Sequence, residues 1–261
     1  MGVKMTVMSD LAATWNKKFP HKQKPYLMAH RGNRVKFPEN TMAAFRQAVE
    51  DGADILETDL HLSSDDQFVC IHDAAVDRTM SGTGDVKDKT LEELKSLRAL
   101  DQEKRETIET IPTLTELAEF LPGDVVLALE LKTDRFLEES VNLNLRDLLA
   151  AKNVLDKTIV LSFSLQRLQA VKQVIPAMPI GWISASRLIP DKPVDLIGSL
   201  WPAFYFNPFY VKMAHRRGLL TCPLDPTPDA RLGYYLKLGV DAVLSDDPGK
   251  TRKLLDRMQR E

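Results

Sequence analysis

A (β/α)8 barrel is the fold this sequence predicts, and three observations carry the prediction. Eight short apolar runs alternate with longer stretches of helical periodicity, the pattern of a mainly parallel sheet clothed by helices. The chain has 261 residues, and eight βα units occupy roughly 250. No Gly-x-Gly-x-x-Gly follows the first strand, which weakens the runner-up, an open doubly wound sheet of the dinucleotide-binding kind.

The elements follow in chain order. Residues 1–24 read as an N-terminal arm, with a short amphipathic helix around 9–15, ahead of a single barrel domain at 25–261. Lys4, Ser9 and Asp10 interrupt what would be the apolar core of a signal peptide. No run approaches the length of a membrane span, so the expectation is a soluble cytoplasmic protein. Strands are expected at 26–30, 54–60, 125–131, 158–162, 179–183, 203–206, 219–223 and 241–245. Helical spacing marks 41–50, with Asn40 as its N-cap, and also 165–174 and 231–238. One further strand, 68–72, follows the second after a link too short for a parallel crossover, which needs about a dozen residues. It is expected to fold back as a hairpin, bringing His72 roughly opposite Glu57. The stretch from 73 to 123 then forms one extended connection with its own helices at 91–97 and 114–120.

Composition narrows the function. Hydrophobic residues make up 44%, enough for a substantial core, and the formal net charge is -2, which argues against a nucleic-acid binder held by bulk charge. Anion binding must come from a local cluster. Cys70 and Cys222 are far apart, each in an apolar run, and read as small buried hydrophobes without metal or redox spacing.

The strand ends carry the chemistry. A barrel places its active site at the C-terminal ends of its strands. There the first strand ends in His30-Arg31, the second carries Glu57 and Asp59 two apart on one face, the hairpin returns in His72-Asp73, and the next barrel strand ends with Glu130 and Lys132. Taken singly, each has a structural reading as a surface ion pair or a satisfied core histidine. Together, three carboxylates in apolar strands repel one another and desolvate badly unless a cation joins them. Oxygen ligands of this kind suit Mg2+ or Ca2+. Two histidines nearby form a candidate acid/base pair, and Arg31 and Lys132 supply positive charge for a phosphate. Gly32 lets the backbone turn sharply after the first strand. Glu39 reads either as a first-turn acid or as an anchor for Arg31, and Asn40 as a cap or a second such anchor.

These residues resemble the glycerophosphodiester phosphodiesterase family. The likeness runs through "AHRGNRVKFPENT", "GADILETDLHLSSDDQFVCIHDAAVDRTMSGTGDV", "IPTLTEL", "LALELK", "LSFS" and "GVDAVLSDDPG", nearly everything after the arm. The resemblance implies a barrel of the phospholipase C-like class that hydrolyses glycerophosphodiesters to glycerol 3-phosphate and an alcohol. It implies one divalent cation on Glu57, Asp59 and Glu130; the small chain and its expected cytoplasmic location favour Mg2+ over Ca2+. It implies His30 and His72 as the acid/base pair and Arg31 and Lys132 as the phosphate-facing cations. The nucleophile is either water or the neighbouring glycerol hydroxyl. One departure stands out: the family's Trp-Thr-Val-Asn-like stretch at the seventh strand is here "LLTCPLDPTPD", without tryptophan. Asp225 in that stretch reads either as a turn aspartate or as a carboxylate on the pocket rim. The aromatic residues Phe204, Tyr205, Phe206, Phe209 and Tyr210 read either as core or as the lining of an enlarged pocket. The rival readings are a lysophospholipase D acting on monoacyl lipids, disfavoured by the want of an obvious membrane-binding face, and a non-catalytic barrel that binds phosphodiesters.

Overall fold

The computed structural model describes residues 23–185, 187–190 and 193–260. The helix expected at 9–15 and nearly all of the expected arm lie outside the described residues. Eight parallel strands run in the order β8-β7-β6-β5-β4-β2-β1-β9, with β3 antiparallel on β2. They are β1 (Tyr26–His30), β2 (Ile55–Leu62), β3 (Phe68–Cys70), β4 (Val126–Leu131), β5 (Thr158–Ser162), β6 (Ile180–Ser184), β7 (Leu196–Ser199), β8 (Leu220–Thr221) and β9 (Ala242–Ser245). The ring nearly closes between β8 and β9, where Asp241 N donates to Thr221 O at 3.0 Å and Asp246 N to Pro226 O at 2.8 Å. The fold is the expected barrel.

Two cores follow from strand alternation. Side chains on one face of the strands, among them Met28, Ile55, Ala128, Leu161, Ile183, Leu196 and Leu244, fill the barrel interior. Those on the other face pack against the surrounding helices, as Phe45 of α1 (Met42–Glu50) does. Phe45 is fully buried, and truncating it to alanine would cost about 3–5 kcal/mol.

The hairpin forms as expected. Leu60 pairs with Cys70 and Leu62 with Phe68, a register that brings His72 level with Thr58, one residue from the expected partner. Beyond it, the long connection has its own small core of Val76, Met80, Val86, Leu94, Ala99 and Ile111, packed under the hairpin's Val69 and Ile71. Its helices are α2 (Leu91–Ser96) and α3 (Leu114–Phe120), each opened by a Thr–Glu capping box.

Two expectations are corrected. Residues 203–206 are not a strand: they belong to helix α6 (Pro202–Phe206), and the sixth barrel strand is β7, just upstream. Pro202 sits in the first helical turn, where its missing N–H costs nothing. Asn40 is not the cap of α1; Thr41 is, its Oγ1 accepting from Ala44 N at 3.2 Å. The remaining helices are α4 (Glu139–Ala151), α5 (Leu165–Val174), α7 (Tyr210–His215), α8 (Leu232–Leu238) and α9 (Pro248–Met258).

Candidate active site

The inward rows of β1, β2 and β4 change from apolar to charged at their C-terminal ends. On β2, Ile55 is followed by Glu57 and Asp59; on β4, Val126 and Ala128 by Glu130; on β1, Met28 by His30. Parallel pairing sets His30 beside Glu57 and Asp59 beside Glu130. One carboxylate oxygen from each of Glu57, Asp59 and Glu130 comes within 4.8 Å of the other two.

Two cations lie against this cluster. Lys132 Nζ donates to Glu130 Oε1 at 2.6 Å and stands 3.1 Å from Asp59 Oδ1. Arg31 Nε stands 3.1 Å from Asp59 Oδ2, and the Arg31 backbone N–H donates to Glu57 Oε2 at 3.0 Å. The chain reaches this position because Arg31 and Gly32 both adopt left-handed backbone, at φ 58° and 79°. A Cβ on Gly32 would lie 2.6 Å from the Ala44 carbonyl carbon, so only glycine fits between the loop and α1.

Burial strains the cluster electrostatically. It pushes the Glu57 carboxyl well above its usual range, and the charges of Asp59 and Glu130 push it further. Burial raises Glu130 as well. It opposes ionisation of Asp59 too, but Lys132 and Arg31 outweigh it and hold that carboxyl below its usual value. Asp59 Oδ1 is buried, at ion-pair distance from Lys132 but with no aligned hydrogen bond. Three converging carboxylates, one of them driven toward protonation and another with an oxygen lacking a hydrogen bond, match the needs of a hard divalent cation. The donor set therefore fits such an ion.

The histidines are each oriented by a carboxylate. His30 Nδ1 is 2.7 Å from Asp246 Oδ1, and His72 Nδ1 is 2.6 Å from Asp73 Oδ1. Partial burial shifts the His72 pKa down, against the pull of Asp59 and Asp73. His30, Glu57 and Glu130 line an open cleft at the barrel mouth, whose other walls include Met28, Leu161, Ile183, Leu196 and Leu224. His72 does not line this cleft; it borders a neighbouring recess with Glu39 and Asn40. All seven residues singled out in the sequence thus lie at one end of the barrel.

Glu39 resolves in favour of the anchor. It accepts from Arg31 Nη1 at 2.9 Å and Arg78 Nη2 at 2.7 Å, and pairs with Arg34 at 2.9 Å. Burial alone would raise its pKa, but the hydrogen bond from Arg78 and the charges of Arg31 and Arg34 bring it down to about 2. Arg78 also bonds Asp73, so ion pairs run unbroken from His72 through Glu39 to Arg31. Asn40 is held at φ 54° and donates to Asp59 Oδ2 at 2.9 Å while accepting from Thr58 Oγ1.

A sequence model described as the glycerophosphoryl diester phosphodiesterase family matches residues 30–250. The chain belongs to this family. A glycerophosphodiester phosphodiesterase from Caldanaerobacter subterraneus subsp. tengcongensis is 36% identical over 232 residues, covering 86% of this chain and 95% of the relative. Among solved structures, a phosphodiesterase of Oleispira antarctica in complex with the product sn-glycerol-3-phosphate superposes with a TM-score of 0.76 at 27% identity, covering 89% of this chain and 97% of that one. A glycerophosphodiester phosphodiesterase of Agrobacterium tumefaciens gives 0.74 at 25%, covering 86% and 97%.

Sequence reasoning missed Asp246, Arg34 and Arg78. Asp246 carried a signal, as an acid one step past the last barrel strand; Arg78, thirty-nine residues from Glu39 in sequence, carried none. Asp225 is neither a turn aspartate in solvent nor a rim carboxylate. It is buried, accepting from Arg231 Nε at 2.6 Å, Arg231 Nη2 at 2.7 Å and Tyr235 Oη at 2.6 Å. Both cysteines are buried and free, and burial pushes the Cys70 thiol up to about 12. Among the described residues no helix is long and apolar enough to cross a membrane.

Proposed function

We propose that this chain hydrolyses glycerophosphodiesters to glycerol 3-phosphate and an alcohol, with one divalent cation on Glu57, Asp59 and Glu130 and with His30 and His72 moving the protons. Family membership carries the phosphodiesterase activity. The observation that carries the rest is the convergence of three buried carboxylates, two cations and a carboxylate-oriented histidine at one end of the barrel, with His30, Glu57 and Glu130 opening onto the cleft. Mg2+ is favoured over Ca2+, because it is commonly held by a few carboxylates together with waters and substrate phosphate, whereas Ca2+ takes six to eight oxygen ligands.

A cation bound there supplies positive charge to the phosphoryl oxygens as negative charge develops on them. The chain's own residues do the positioning and the proton transfer. Arg31 is fixed by Glu39 and Lys132 by Glu130, so both present charge to the phosphate without needing to be ordered on binding. Asp246 and Asp73 occupy the Nδ1 atoms of His30 and His72, leaving Nε2 of each for the substrate. One histidine takes the proton of the nucleophile, water or the adjacent glycerol hydroxyl, and the other protonates the leaving alkoxide.

Hydrolysis of glycerophosphocholine in 18O-labelled water tests the reading. The expected products are choline and glycerol 3-phosphate carrying the label on phosphorus. Release of phosphocholine, or no turnover in the presence of divalent cations, would contradict it.

A further inference from the structure

One carboxylate serves three arginines. The Glu39 side chain is 8% exposed and meets the guanidiniums of Arg31, Arg34 and Arg78. Arg31 faces the phosphate site, and the other two lead away from it toward the aspartates that orient the histidines. Arg78 Nη1 and Nη2 donate to the two oxygens of Glu39 at 3.2 and 2.7 Å, while its Nε donates to Asp73 Oδ2. The other oxygen of Asp73 meets His72 Nδ1 at 2.6 Å. Among the described residues, Arg78 alone is hydrogen-bonded to both acids.

This guanidinium cross-links two loops. Glu39 stands in the loop after β1, and Asp73 and Arg78 open the long connection. The backbone of Arg78 is secured before its side chain reaches out. Val76 and Met80, two residues to either side, belong to the small core of the connection, and Met80 N donates to Val76 O at 2.9 Å. Lys104 Nζ donates to Arg78 O at 2.7 Å. An isolated exposed ion pair fixes little, but Arg78 grips a nearly buried carboxylate with two parallel bonds and keeps a third donor for Asp73. A planar guanidinium has the donors for that; an ammonium has a single charge centre. The Arg34 arm is looser. Its Nη1 lies 3.8 Å from Asp246 Oδ1, the oxygen that meets His30 Nδ1.

We propose that Arg78 is a positioning residue that locks His72 to Arg31, through Asp73 and Glu39, so that one guanidinium aims both the proton-transfer group and the phosphate-facing cation. The inference rests on the phosphodiesterase reading and adds a residue that the mechanism above does not use. A misplacement of about 1 Å at a reacting group can cost about a hundredfold in rate, and Arg78 bears on two such groups at once. His61 secures the main chain of the same histidine: its Nε2 is 3.2 Å from the His72 carbonyl oxygen. The ring of His72 then depends on Asp73, and Asp73 on Arg78.

The test uses the full chain, supplied with divalent cation, and glycerophosphocholine. Arg78→Ala should lower kcat by about tenfold or more, as loss of an outer partner of a site residue does, and should raise KM as Arg31 loses its anchor. The Arg78 side chain is 42% exposed, so the vacated place is open to solvent. Added guanidinium, well below denaturing concentrations, should recover kcat several-fold, and ammonium at the same ionic strength should not. A double-mutant cycle of Asp73→Asn and Glu39→Gln should depart from additivity by about threefold or more in the parent and be additive in Arg78→Ala. Normal kcat and KM in Arg78→Ala, or an additive cycle in the parent, overturns the proposal. A loss of activity that guanidinium does not recover assigns Arg78 to folding of the connection and overturns it too. A parent enzyme that turns over no diester rejects the phosphodiesterase reading instead. The His72 Nδ1 proton resonance, identified by its absence in His72→Gln, then decides the positioning role: a shift in Arg78→Ala supports it and an unchanged resonance refutes it.

Discussion

The two halves of the barrel mouth obey one backbone rule and do opposite chemistry. On both, every second residue of a strand points inward, and inward residues toward the C-terminal ends line the cleft. On β1, β2 and β4 the inward residues at the cleft are His30, Glu57 and Glu130; on β5 and β7 and just beyond β8 they are Leu161, Leu196 and Leu224. The charged half is expensive to bury. It is held by partners from outside the strands: Glu39 and Asn40 from the first loop, Asp246 from the last, and Arg78 from the long connection. The apolar half is held by ring contacts, by the Arg231–Trp201 cation–π stack above Asp225 and by the Tyr234 hydrogen bond to Phe204 O. Strand alternation therefore fixes where a side chain points, and the neighbouring loops decide whether a charge there is tolerable.

Substitutions should separate the halves sharply. The largest effect is expected at the histidines: His30→Ala or His72→Ala should lower kcat for glycerophosphocholine by on the order of a hundredfold, the worth of a general acid or base. Near-normal turnover in either variant would remove that residue from the chemistry. Next comes Asp225→Asn, beneath the apolar half. Breaking its pair with Arg231 should cost about 2–3 kcal/mol of stability, less than a fully buried pair because Arg231 is partly exposed. Thermal melting should fall by several degrees while KM for glycerophosphocholine stays put. A selective rise in KM for cationic alcohols would restore Asp225 to the pocket. Gly32→Ala, under the charged half, forces a Cβ against the Ala44 backbone at positive φ and should destabilise by about 2 kcal/mol. Unchanged melting would mean that the loop rearranges. The smallest effect is expected at Phe206→Ser, so exposed that stability should move by no more than about 0.5 kcal/mol.

Much of this architecture was legible because strand periodicity is local. His30, Glu57, Asp59, Glu130 and Lys132 stand at the ends of apolar runs, and period-two spacing alone places their side chains inward. The hairpin was legible from a link too short to cross over. The sixth barrel strand was not. Its four residues, Leu196 to Ser199, include a glycine, whereas the aromatic segment after Pro202 has the composition of a strand and forms a helical turn. Asn40 and Thr41 are both good caps, and local propensity cannot choose between them. The choice is made by Asp59, a strand away, which takes the Asn40 amide. Asp225 failed for the same reason: a residue flanked by prolines looks like a turn until Arg231, at the N-cap of α8, and Tyr235 within it close over it.

The central claim is that the charged half of the mouth is organised around one divalent cation. Calorimetric titration of the metal-free protein with Mg2+ and with Ca2+ tests it most directly, run beside Asp59→Asn and followed by glycerophosphocholine turnover. The parent should bind one equivalent, gain activity with occupancy, lose it to a chelator and keep its fold throughout, because a barrel core of this size does not depend on an ion. Asp59→Asn should bind at least about tenfold more weakly. Full activity in excess chelator, or equal binding by parent and Asp59→Asn, would contradict the account.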